Sequence, residues 1–71
     1  MSNMFKNAVF GDKFKTRDGR LAIYSHNSGD NYSHWLLIDG EFGLEPFTKS
    51  GDHNLEGYMN KNLDIISHWE D

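Results

Sequence analysis

The chain has 71 residues, of which 37% are hydrophobic and 14% aromatic, with no Cys and a formal net charge of −4. That length supports one domain with one modest core, and the lack of Cys excludes disulfides, thiolate metal sites and thiol nucleophiles. No stretch approaches the roughly 18–20 apolar residues of a membrane-spanning helix, and the opening MSNMFKNAVF lacks the apolar run of a signal peptide, so a cytoplasmic location is expected.

For residues 1–7 the sequence leaves open whether the segment is ordered. Residues 10–17 alternate, with Phe10, Asp12, Phe14 and Thr16 on one face and Lys13, Lys15 and Arg17 on the other. This pattern predicts a strand with both Phe side chains inward and the cations in solvent. Asp18-Gly19 follows, a pair suited to a two-residue type I′ turn, whose central positions both need positive φ. Residues 20–26 then place Leu21 and Ile23 on one side and Ala22, Tyr24 and His26 on the other, which predicts a central strand apolar on both faces. The cluster Asn27–Asn31 reads as a turn, and residues 32–38 (YSHWLLI) form the best candidate for the core strand.

Asp39-Gly40 signals a second tight hairpin into residues 41–47, where Phe42, Leu44 and Pro46 are expected to share a face, with Gly43 at a bulge and Pro46 suiting an edge strand. Residues 48–62 are polar and Gly-containing and read as a long excursion anchored by Leu55, Tyr58 and Met59. Residues 63–69 alternate Leu63, Ile65, Ser67 and Trp69 against Asp64, Ile66 and His68, and their β-branched and aromatic content favours a last strand over a helix. Five short strands with two tight Asp-Gly hairpins and one long loop predict a small all-β barrel closed by pairing the first strand with the last.

The run Phe10-Gly11-Asp12-Lys13-Phe14-Lys15-Thr16-Arg17-Asp18-Gly19-Arg20 resembles the VGDKVRTRDGR opening of small proteins encoded by bacteria, phages and mobile elements. Leu63-Asp64-Ile65-Ile66 is similar to the closing strand of the same group. The resemblance implies an SH3-like barrel and carries no catalytic residue to transfer. The His content and the acidic segment from Gly51 to Asn60 depart from that pattern.

Residues 1–20 hold five of the seven basic residues and two acids, a balance of +3, whereas the remaining residues hold nine acids against Lys49 and Lys61, a balance of −7. Pairing of the first strand with the last is expected to neutralise part of this segregation and to bring the basic face near Asp64, Glu70 and Asp71. Five constellations are candidates for chemistry. Asp52 to Gly57 matches the first half of a calcium loop, but the bidentate Glu required at its twelfth position is Leu63. His26, His34, His53 and His68 are zinc-ligating types at spacings that fit no compact zinc signature. Ser25-His26, Ser33-His34 and Ser67-His68 pair a hydroxyl with a base, yet adjacent strand residues point to opposite faces, so no dyad and no enzyme activity is expected. Neither a metal nor a cofactor is expected.

Lys13, Lys15, Arg17 and Arg20, with Tyr24 or Trp35 for base stacking, form a candidate nucleic-acid surface set against an otherwise acidic chain. The leading expectation is a protein-binding module that presents Leu55, Tyr58 and Met59 in an acidic rim including Asp52 and Glu56, unless those apolar residues cap the core. A structural subunit that self-associates through an unpaired edge strand is the third reading.

Overall fold

The computed structural model describes residues 3–29, 33–55, 57 and 59–70. Strands β1 (Lys13–Thr16), β2 (Leu21–Asn27), β3 (His34–Ile38), β4 (Leu44–Phe47) and β5 (Ile65–His68) form one antiparallel sheet, and a 3-10 turn (Lys61–Leu63) precedes β5. The strand order β4-β3-β2-β1-β5 makes β2 central, as its two apolar faces suggest, and pairs the first strand with the last. The sheet is not closed into a barrel, because β4 and β5 are its two edges.

Neither Asp-Gly hairpin is of type I′. Gly19 and Gly40 have φ of 89° each, whereas Asn7 is the one non-Gly residue with positive φ among the described residues, so Asp18 and Asp39 stay in the ordinary region. In the first loop the Gly19 N–H donates to the Thr16 carbonyl at 3.0 Å and the Thr16 N–H to the Arg20 carbonyl at 3.0 Å, giving a three-residue loop with a left-handed Gly at its end. In the second, the Glu41 N–H donates to the Ile38 carbonyl at 2.9 Å around a single left-handed Gly, and the chain needs three more residues before β4 begins.

The three-residue first loop, longer than the two-residue turn expected, leaves the Asp18 carboxylate in position to accept from the Thr16 hydroxyl and from Arg20 Nε, the latter at 3.0 Å. Arg20 Nη1 reaches Glu41 at 3.0 Å and the Asp39 carbonyl at 3.3 Å. One guanidinium therefore ties the two turns together.

Four of the nine buried hydrophobic residues described are aromatic. Phe14, Tyr24 and Phe47 surround Phe5, whose ring centroid lies 5.1, 5.6 and 6.5 Å from theirs, and Ala22, Leu36, Ile38, Leu63 and Ile65 complete the packing. Phe5 comes from residues 1–7, whose order the sequence left open; Phe5 is 3% exposed, and the Met4 N–H donates to the Lys49 carbonyl at 2.7 Å. The inward assignment of Phe10 and the shared face of Phe42, Leu44 and Pro46 are corrected, Leu44 being exposed and Pro46 buried. Phe10 is 81% exposed because β1 begins only at Lys13, and Phe42 is wholly exposed because the second loop runs to Gly43; Pro46 and Phe47 supply the buried positions of β4. Ile66 is exposed as well, left out of the ladder where the β1–β5 register shifts between Lys15 and Thr16.

The segment after β4 folds back on that strand's free edge. Phe47 and His53 form an isolated bridge, the Asn54 N–H donates to the Pro46 carbonyl at 2.9 Å, and the Ile65 N–H donates to the Gly51 carbonyl at 2.7 Å. Gly51 has φ of 93°, and a Cβ there would sit 2.6 Å from the Ile65 carbonyl oxygen. Gly51→Ala is expected to cost about 2–3 kcal/mol in denaturant melts, whereas Gly43→Ala, at φ 74° in open space, is expected to cost about 1 kcal/mol, so the difference isolates the clash.

Arg20 and the Thr16 hydroxyl hold the Asp18 carboxyl below the usual carboxylate range. A depressed folded-state value contributes stability that is present above the unfolded value and is lost as pH falls through the folded one. Asp18→Asn, which keeps the turn's backbone preference, is therefore expected to melt several degrees lower than the wild type at neutral pH. The two melting curves should converge in strong acid; a gap that persisted there would assign the loss to the turn rather than to the charge.

Candidate interaction groove

The groove begins with the return segment after β4. His53 has no exposed side-chain surface. Its Nδ1 accepts the Asn60 N–H at 3.0 Å, which leaves the ring proton on Nε2 to be donated to Glu45 Oε1 at 2.8 Å. Its own main-chain N–H donates to Asp64 Oδ1 at 2.9 Å, and its ring stands edge-on to Phe47 at 5.4 Å. The buried Asp64 uses its second oxygen on Arg17 Nη2 at 3.6 Å, and Arg17 Nε donates to the Lys61 carbonyl at 3.2 Å. Arg17, Asp52, His53, Met59, Lys61 and Asp64 together line an open groove of about 490 Å³.

The floor of this groove is fixed and its rim is solvated. His53 and Asp64 are buried and bonded, whereas Asp52, Met59 and Lys61 are exposed, Met59 by 66%. An apolar side chain standing in a rim of mixed charge suits recognition of a polypeptide surface better than it suits chemistry on a small molecule.

Of the residues expected to bind a protein partner, Asp52 and Met59 lie together on the groove and Leu55 is half-buried beside it in sequence; Glu56 and Tyr58 fall outside the described residues. The basic stripe is divided by its partners. Arg17 is engaged by Asp64 and Lys61, and Arg20 by Asp18, Glu41 and Asp39, whereas neither Lys13 nor Lys15 pairs with a carboxylate among the described residues. Asp64 thus meets the basic face as expected, while Glu70 makes no ion pair among the described residues and Asp71 falls outside them. Tyr24 is corrected outright as a stacking platform: it is buried against Phe5, shares a 2.9 Å hydrogen bond with His34 Nδ1, and has its phenol pushed up by burial. Trp35 is half-buried and already stacked on His26, with centroids 6.4 Å apart.

The histidines are not gathered. His34 packs on Phe5 in the core, His26 on Trp35 and His68 on Phe14, and the described residues contain no group of three or more metal-ligating side chains placed to hold an ion. In the calcium-like run, His53 is buried and bound to Asp64 and Glu45, and the Asn54 N–H is bound to β4. One Ser-His reading is overturned. A bulge between Tyr24 and His26 removes the strand alternation locally, so Ser25 Oγ and His26 Nδ1 meet at 2.9 Å. The pair is solvent-exposed, and no described carboxylate bonds the imidazole.

Comparison with known protein families, with curated proteins and with solved structures returns no match.

Sequence reasoning placed His53 only in metal readings and missed its structural role, because its partners Glu45, Asn60 and Asp64 come together through the fold and not through any spacing. The tautomer assignment makes a direct prediction. Glu45→Gln keeps an oxygen acceptor for Nε2–H and is expected to cost under about 1 kcal/mol, whereas His53→Leu strands the Asn60 N–H and the Glu45 carboxylate and is expected to cost about 3 kcal/mol. Chemical denaturation measures both, and nitrogen-15 shifts of the imidazole report the Nε2–H form directly.

Proposed function

We propose that this protein is a non-enzymatic protein-binding module that recognises its partner through the Arg17–Asp64 groove, with Met59 as the apolar anchor. The observation that carries the reading is Met59 itself, an unbranched, adaptable side chain exposed within a rim of Arg17, Lys61 and Asp52 whose base is held rigid by buried His53 and Asp64. The mechanism is steric and electrostatic: the anchor enters an apolar pocket on the partner while the mixed charges set orientation and encounter rate.

The finer fold reading belongs to the same proposal. We read the open sheet as an SH3-like barrel, supported by the pairing of β1 with β5 and by the hydrogen bond from the Ile65 N–H of β5 to the Gly51 carbonyl of the return segment, across the gap between the edge strands. An accessory role in the cytoplasm, as in the phage-borne and mobile-element proteins that the opening resembles, accords with an acidic chain whose described residues contain no helix long and apolar enough to cross a membrane. The nucleic-acid alternative loses support from the commitment of Arg17 and Arg20 to acidic partners and from the burial of Tyr24.

Met59→Asp is expected to leave stability within about 0.5 kcal/mol, since the side chain is exposed. Affinity capture from host lysate with the wild type and this variant side by side tests the reading. A protein retained by the wild type and lost with the variant supports the groove; equal retention, or capture of nucleic acid that depends on Lys13 and Lys15, overturns it.

A further inference from the structure

The outer face of the sheet, remote in role from the groove, carries a second surface. Two rows of side chains cross it. The ladder register aligns Lys13, Ile23, Leu37 and Leu44 in one row and pairs Lys15 with Leu21 in the next. The second row continues to Asp39, whose N–H donates to the Leu21 carbonyl at 2.9 Å. Leu21, Ile23 and Leu37 form the floor of an open depression of about 240 Å³, with Asp39, Gly40 and Glu41 along one side. Leu37 and Leu44 are exposed, and Phe42, in the loop that follows Glu41, is wholly in solvent. Contiguous apolar surface of this kind, edged by charge, marks an interaction site.

The charges identify the occupant. The apolar strip lies between the β1 lysines, which pair with no carboxylate among the described residues, and the acidic turn after β3, so a partner surface of one sign would match one side and oppose the other. A second copy related by a two-fold axis matches both. With the axis lying in the interface and running along β2, rotation exchanges the places of β1 and β3: Leu21 and Ile23 meet their own counterparts, Lys13 lies over the other copy's Leu37, and Lys15 faces the other copy's Asp39 twice over, once in each direction. Glu41 is already bound to Arg20 at 3.0 Å, so Asp39 is the carboxylate available for this pairing. We propose that the outer face of β1–β4 is the isologous dimer interface of this protein, with Leu21, Ile23 and Leu37 at its centre and Lys15–Asp39 pairs at its margin. This interface is independent of the groove and leaves it open.

A charge swap tests it. Lys15 and Asp39 are both exposed, so their exchange leaves the core untouched, and matching thermal melts confirm that each variant is folded. In sedimentation equilibrium the wild type is expected to rise from monomer mass toward twice that value below about 1 mM. Lys15→Asp and Asp39→Lys, each alone, are expected to weaken association at least tenfold, because each homodimer then opposes like charges twice. An equimolar mixture of the two variants restores both pairs and is expected to associate as the wild type does, as is the double variant. The proposal is overturned by a wild type that stays monomeric throughout, by association that the single variants leave unchanged, as an edge-strand dimer would, or by single variants whose loss is not repaired on mixing.

Discussion

An open sheet must satisfy two edges, and here both are served by the reversal from Thr48 to His53. On one side it covers β4 through the Phe47–His53 bridge; on the other it receives the Ile65 N–H at the start of β5. Buried His53 sits at the junction, bonded through its ring to Glu45 of β4 and to Asn60, and through its main chain to Asp64. A side chain that accepts at one nitrogen and donates at the other can join strands that no ladder connects, and its burial makes each unmade bond costly. The approach of Gly51 to Ile65, too close for a Cβ, follows from the same constraint.

The distribution of charge follows from this arrangement. Asp64 must be buried to hold His53, and its second oxygen draws in Arg17; the two hairpin loops converge and draw in Arg20. Both arginines of the first segment thereby become structural, and Lys13 and Lys15, which precede them on β1, remain for solvent or for another molecule. The surface an encountering partner meets is thus defined as much by which cations the fold consumes as by which it contains.

Strand alternation was enough to read the five elements and the central place of β2, because each depends on the period-two pattern of its own segment, whereas the pairing of β1 with β5 was expected from barrel closure and is present in a sheet that stays open. Loop geometry was less accessible. Asp-Gly accommodates a left-handed Gly in more than one kind of turn, and the side-chain bonds of Asp18 to Thr16 and Arg20, which favour the longer loop, join residues on both sides of it. Phe10 and Phe42 show the consequence: each obeys the alternation of its neighbours, yet the ladder stops short of both. Phe5 and His53 were hidden for another reason, since neither sits in a regular element and both are defined by contacts distant in sequence. At the groove, Asp52 and Met59 could be named from composition, but the rigid floor beneath them could not.

The pairing of Thr16 with Ile65 and the packing of Phe5 on Phe47 also bear on how the chain reaches this state. Strands β1 to β4 join by successive neighbouring reversals, whose closure entropy is small, whereas β5 and the Phe5 plug bring together segments separated by most of the domain. The meander without them has an uncovered aromatic face and two bare edges, so it has little reason to persist as a populated species. Folding should therefore be a single cooperative event whose barrier is set by long-range closure, in the millisecond-to-second range typical of nonlocal β topologies despite the small size of the chain.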